Sequence, residues 1–204
     1  LIAIGYFWAI PIGAARLARA WPALAQRIGR GTLTLLDTTL EPTKLSKREQ
    51  RHLHALFAKA AADYPALSLD LELRKAGFAN AFALPDGTVV LTDEIVRLST
   101  HDGELEGVVF HEIGHVVHGH GLRRALESSA FAFIAAAYYG DAERVSALGG
   151  GLPLAYAQSR YSRDEETEAD DVALDGLLRH QLDPRHYARL LRALESESGP
   201  SRRE

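Results

Sequence analysis

The chain has 204 residues, 47% of them apolar and 25% charged, with a formal net charge of −4. That is an ordinary globular composition, with enough chain for one good core, and its acidic balance excludes a nucleic-acid-binding footprint. Cysteine is absent, so neither disulfides nor thiolate metal ligands are available.

Residues 1–20 open with fifteen uncharged residues before Arg16 and Arg19. That run is shorter than the ~20 apolar residues a membrane span needs. Tyr6, Trp8 and Trp21 suit an interfacial belt and the arginines a surface flank. Residues 1–22 are therefore read as a membrane-proximal or amphipathic segment, set apart from a single domain over residues 23–204. The chain starts at Leu1 and contains no methionine, so it is expected to be an internal stretch of a longer protein.

Residues 31–39 suit either a short strand or the end of a helix, and Glu41-Pro42-Thr43 a turn. Ser46 and Glu49 form a capping box opening a helix to about Ala62, with Leu53, Leu56, Phe57 and Ala60 as its apolar stripe. His52 and His54 on that helix are read as solvated or half-buried, not as ligands. In residues 67–74 leucines alternate at 67, 69, 71 and 73, the pattern of a half-buried strand. Residues 78–84 and 88–92, joined by Pro85-Asp86-Gly87, read as a hairpin. These strands are expected to make a small antiparallel sheet. Its edge, at Asn80, Ala81, Phe82 and Ala83, can take an extended peptide by strand addition.

Thr92, Asp93 and Glu94 start a short helix to about Ser99. Asp102 is the expected cap of the next helix, with Glu104 in its first turn, where a carboxylate meets the positive end of the helix dipole. That next helix carries the chemistry. Within residues 108–119 (VVFHEIGHVVHG), His111, Glu112 and His115 form H-E-x-x-H. Positions i and i+4 lie one above the other on a helix, so both imidazoles can converge on one metal ion. Glu112 lies beside them and can polarise a water. Neutral imidazole suits Zn²⁺, whose catalytic sites use three protein ligands and leave one position open. One ligand is still needed. A metzincin would continue H-E-x-x-H-x-x-G-x-x-H, but those positions hold His118 and Gly121 here. Gly119 and Gly121 are expected to end the helix. His118 and His120 are read as capping or flanking that end, not as a second metal site.

Residues 122–139 read as a further apolar helix, whose uncharged run of thirteen residues (128–140) is too short to span a bilayer. Residues 126–158, with Gly149-Gly150-Gly151, are read as a hairpin near the cleft: a lid, a membrane or oligomer contact, or an ordinary surface excursion. Residues 160–175 (RYSRDEETEADDVALD) read as a helix on which Glu166, Ala169, Asp170 and Ala173 share a face. Glu166 would complete a His2Glu site, with Glu165 as the fallback. Asp170, one turn on, can hydrogen-bond a ligating histidine and fix its tautomer. Ala169 and Ala173 let two helices approach closely. The bland reading of Glu165, Glu166 and Glu168 is a solvated acidic face. Asp183 and Pro184 open the last helix, with Tyr187, Leu190, Leu191 and Leu194 as its core stripe, before a polar tail.

Three of these stretches together resemble the M48 family of zinc metallopeptidases, a group of gluzincins. They are HEIGH; Tyr161-Ser162-Arg163 with Glu166-x-x-Ala169-Asp170; and Asn80-Ala81-Phe82-Ala83 with Gly87-Thr88-Val89-Val90. The last is similar to the family's N-A-F-A…G segment beside the cleft. The resemblance covers about half of the chain, residues 80–175. It implies an α+β, mostly helical zincin-type metalloprotease domain with a small antiparallel sheet whose edge strand flanks the cleft. It implies one Zn²⁺ per chain on His111, His115 and Glu166, with Glu112 as general base. It also favours a membrane-associated protein, anchored by a segment upstream of Leu1. The family usually continues into a His-Pro segment that returns to the site. This sequence lacks it, so the C-terminal end reads as truncated. The transition-state donor is left open among His186, Tyr156 and Tyr161. The expected activity is zinc-dependent endopeptidase action on extended or unfolded polypeptide. The rival is a zinc-binding module without turnover, chaperone-like or latent.

Overall fold

The computed structural model describes residues 22–125 and 161–198. The N-terminal segment up to residue 21, the hairpin expected over residues 126–158 and the polar tail from residue 199 lie outside the described residues. In order, the elements are α1 (Pro22–Leu36), β1 (Glu41–Pro42), α2 (Lys47–Ala61), β2 (Asp70–Lys75), β3 (Ala81–Ala83), β4 (Thr88–Thr92), α3 (Asp93–Leu98), α4 (Asp102–His118), α5 (Arg163–Arg179) and α6 (Pro184–Ser198). The class is α+β and mostly helical, as expected. Among the described residues no helix is long and apolar enough to cross a membrane.

Local signals set most boundaries. Ser46 and Glu49 make the capping box of α2, and Leu53, Leu56, Phe57 and Ala60 are its buried residues. Thr92 caps α3 through its side chain. Residues 31–36 are the end of α1, and the turn expected at Glu41-Pro42-Thr43 is instead the two-residue strand β1. The cap of α4 is His101, whose Nδ1 accepts from the Gly103 N–H at 3.0 Å. Asp102, expected in that role, turns outward to His52 at 2.9 Å.

The sheet order is β1-β2-β4-β3. The β3–β4 hairpin is antiparallel and so is β1–β2, but β2 and β4 run parallel. The sheet is therefore mixed, not antiparallel throughout. Burial gives the reason. All five residues of β4 are buried, whereas β2 buries Leu71 and Leu73 and leaves Asp70 exposed. A strand covered on both faces belongs inside a sheet. The chain leaving β2 therefore passes over to the far edge, forms β3, and returns as β4 between them. Alternation along β2 gives no information about the direction of its neighbour.

The two sheet faces feed two cores. Leu71, Leu73, Ala83, Val89 and Leu91 join α2, α4, α5 and α6 in the main core. Phe82, Leu84 and Val90 face the other way, against Leu36 and Leu40. Deep burial of α4 puts its ends under control. At its head, buried Glu104 is bound by Arg189 of α6, by the Thr100 N–H at 2.8 Å and by the Ser99 hydroxyl at 3.1 Å. Burial raises the Glu104 pKa, but these partners outweigh it and hold the carboxyl at about 2.

The contact between α4 and α5 is close enough to exclude a methyl group. A Cβ on Gly114 would lie 2.8 Å from the Ala169 Cα and 3.0 Å from its carbonyl oxygen, and Ala169 and Ala173 are wholly buried. Gly114→Ala should therefore destabilise the fold by about 1–3 kcal/mol, the cost of overpacking a tight contact. Gly31→Ala, in α1, meets nothing within 4 Å and should stabilise by roughly 0.5–1 kcal/mol. Thermal unfolding of the two metal-free variants measures both signs. Equal shifts in the same direction would mean that the helices do not meet at Gly114.

Candidate metal centre

Helix α4 presents His111 and His115 one turn apart, and α5 crosses it with Glu166 facing them. His111 Nε2 lies 3.1 Å from His115 Nε2 and 3.4 Å from a Glu166 carboxylate oxygen. The three donor atoms all lie within 4.8 Å of one another. Donors bound tetrahedrally to one zinc ion at ~2.05 Å stand ~3.3 Å apart, so this set fits a zinc ion with little movement. Glu165, the fallback, is engaged elsewhere. It closes a capping box with Ser162 at the start of α5 and lies 3.4 Å from Arg123. The same first turn thus separates the two adjacent glutamates, one to cap the helix and one to face the histidines.

Glu112 is buried and hydrogen-bonds the Ala83 backbone N–H of β3. Its other oxygen, Oε2, is buried with no hydrogen-bond partner among the described residues. Burial, more than anything else, lifts its pKa to about 7. A carboxylate with one oxygen free, beside three metal donors, is placed to handle a proton. Burial also lowers the His115 pKa to about 2, helped by the nearby charges of His111, His120 and Arg124. That ring is neutral, as a ligand must be. Burial opposes charge on His111 too, but hydrogen bonds to Asp170 and Glu166, and the Glu112 charge, raise its pKa to about 10 in the metal-free protein. The same negative surroundings favour a divalent cation.

Asp170 reaches His111 Nδ1 at 2.9 Å, and that bond lowers its own pKa. The Tyr187 hydroxyl joins both, 2.9 Å from His111 Nδ1 and 3.0 Å from the Asp170 carboxylate. Tyr187 was expected only as core. A tyrosine on an otherwise leucine stripe was the available signal, because a buried hydroxyl needs a partner.

The other expected residues fall into place unevenly. Ala81 and Ala83 lie on edge strand β3, and Asn80 ties its start to Thr92 through the backbone. The Phe82 side chain is buried on the far face, against Leu36 and Leu40, so only its backbone belongs to the cleft edge. His186 stacks on His101 at 3.9 Å, at the head of α4. His111 is ten residues further on, about 15 Å along the axis, so His186 is not beside the donors. The Tyr161 ring lies flat on His115 at 3.8 Å and is itself covered by Arg124. Tyr156 lies outside the described residues. His120 does not merely flank the helix end; it is buried beneath His115.

The donor spacing and the half-satisfied Glu112 define a metal-dependent hydrolase of the H-E-x-x-H class, with a candidate third donor on a separate helix. Comparison with known proteins narrows the class: residues 45–204 match Peptidase family M48, and the chain belongs to that family. It is 36% identical over 102 residues to metalloprotease YcaL of Escherichia coli strain K12, covering 47% of this chain and 39% of that protein. It is 34% identical over 109 residues to metalloprotease LoiP of the same strain, covering 52% and 43%. It is 30% identical over 135 residues to the β-barrel assembly-enhancing protease of that strain, covering 61% and 28%. The chain thus spans less than half the length of these relatives.

Proposed function

We propose that this chain is a zinc-dependent endopeptidase that cleaves extended or unfolded polypeptide. The observation that carries the reading is the trio His111, His115 and Glu166 beside a buried carboxylate with one unpartnered oxygen. The trio holds the ion, and Asp170 and Tyr187 orient His111 through Nδ1. A zinc ion held there would supply a Lewis acid for the scissile carbonyl and would lower the pKa of a water enough for it to be deprotonated to a nucleophile near neutral pH. Glu112 accepts the proton of that water and passes it to the leaving amine. The Ala83 N–H fixes the carboxylate while it does so.

The peptide adds as a strand to the open side of β3. Asn80 and Leu84 are hydrogen-bonded to Thr92 and Thr88. In the antiparallel alternation Ala81 and Ala83 then direct their backbone groups away from β4. Ala83 uses its N–H on the base, and Ala81 offers the outward pairing groups. We assign residues 23–204 to one peptidase domain. Membrane association remains part of the proposal, motivated by the uncharged run before Arg16.

Metal removal tests the reading. A quenched-fluorescent casein-derived peptide should be cleaved by the zinc-loaded protein. Dialysis against a chelator should abolish cleavage, and one equivalent of zinc should restore it, with magnesium ineffective. Cleavage that survives complete metal removal would rule the proposal out.

A further inference from the structure

We propose that His120 and Glu168 form a proton-fixing relay that holds His115 in its metal-binding tautomer. The proposal rests on the metallopeptidase reading and extends it to His120, beyond the H-E-x-x-H motif, and to Glu168, at a variable position of E-x-x-A-D. Gly119 ends α4 in the left-handed region, at φ 69°, which glycine adopts without strain. The chain turns back there and tucks His120 under the helix, with its side chain wholly enclosed. His120 Nδ1 comes to 2.8 Å from His115 Nδ1, and His120 Nε2 lies 2.8 Å from a Glu168 carboxylate oxygen.

Counting protons decides what this chain of contacts can do. His115 turns Nε2 toward His111 and Glu166, so that nitrogen must keep its lone pair for the metal. The single proton of the neutral ring then sits on Nδ1 and is donated to His120 Nδ1. His120, accepting there, carries its own proton on Nε2 and donates it to Glu168. Every nitrogen has one role, and the arrangement ends on a carboxylate. Such partners of metal-bound histidines fix ring orientation and raise ligand basicity. Helix α5 thus serves both histidines: Asp170 for His111, and Glu168, through His120, for His115.

The same count disfavours a second metal here. His118, His120 and Glu168 also bring three donor atoms within 4.8 Å. If His120 Nε2 bound an ion while Nδ1 accepted from His115, that ring would have to be an imidazolate. With the first site filled, His120 is a hydrogen-bond relay and not a ligand. His118 is then dispensable; its Nδ1 is 3.7 Å from Glu168.

The test is zinc affinity, by competition with a chromophoric chelator, together with long-range ¹⁵N–¹H spectra of the imidazoles in the zinc-loaded protein. His120→Leu should bind zinc about 10–100-fold more weakly than wild type. His120→Asn, whose Oδ1 stands where Nδ1 was, should recover most of that loss. His118→Ala should stay within about twofold, since it removes neither contact of the relay. In wild type the spectrum should show His120 protonated on Nε2. The spectrum needs no variant, so it decides the matter even if His120→Leu fails to fold. Unchanged affinity in His120→Leu, no recovery in His120→Asn, or a proton on His120 Nδ1 overturns the relay while leaving the metal centre standing. Two zinc ions in wild type, one of them lost in His118→Ala, overturns it in favour of a second site. No zinc in wild type overturns the relay and the metallopeptidase reading together.

Discussion

Glu112→Gln should keep zinc and lose peptide cleavage. Glutamine has the shape of glutamate and can still accept the Ala83 N–H, so the cleft edge stays in register with α4. None of the three metal donors is altered. What disappears is the group that can take a proton, and general-base catalysis of this kind is worth about 10²–10⁴-fold in rate. Zinc content by elemental analysis should match wild type, while turnover of a fluorogenic peptide falls by that factor. Wild-type turnover in this variant would remove Glu112 from the role of base. Loss of zinc would mean that the carboxylate helps hold the ion.

The same substitution has a signature without substrate. Burial raises the Glu112 pKa from an ordinary 4.5 to about 7 in the metal-free protein. Between those values the folded state binds more proton than the unfolded chain. Wild-type stability therefore falls as pH rises through that window. Glutamine does not titrate. Metal-free Glu112→Gln should accordingly match wild type most closely near pH 4, gain on it between pH 4.5 and 7, and keep the full advantage at pH 8. Melting temperatures across that range measure the gap. A gap that widens toward acid would mean the carboxylate is stabilised in its charged form.

Most of the candidate site, and less of the sheet, was legible along the chain, for physical reasons. A helix repeats every 3.6 residues, so His111 and His115 had to share a face, and Glu166, Ala169 and Asp170 another. The small residues needed for close approach were visible at Ala169 and Ala173, and Gly114 sits opposite Ala169. The capping box at Ser46 and Glu49 was legible because both partners lie within one turn. Strand direction was not, because pairing of β2 with β4 is decided by burial across the whole sheet. The burial and partners of His120 were not legible for a related reason. Its position depends on a left-handed turn at Gly119 and on Glu168, 48 residues away along the chain. Tyr187 reaches His111 across 76 residues. Both belong to tertiary structure, which a local pattern cannot display.

Glu166→Ala should empty the site. Two histidines one turn apart remain, but both sit on one helix and leave the ion bound from one side. The catalytic sites of zinc hydrolases use three protein ligands. Loss of a hydrogen-bond partner of a ligand costs about 10–100-fold in affinity, and loss of a ligand itself should exceed that. Protein purified without added metal should fall from about one zinc per chain to a trace, and peptide cleavage should vanish with it. Glu165→Ala is the informative contrast, because Glu165 carries the same charge one residue away. Its carboxylate accepts the Ser162 N–H at 2.9 Å and closes the cap of α5. That variant should keep its zinc and lose about 1 kcal/mol of stability, as a damaged helix cap does. Zinc retained in Glu166→Ala and lost in Glu165→Ala would exchange the two assignments and would require the first turn of α5 to rotate by one residue. Zinc lost equally from both would mean that the cap itself holds Glu166 in place, so that Glu165 acts on the metal through the geometry of the helix it starts.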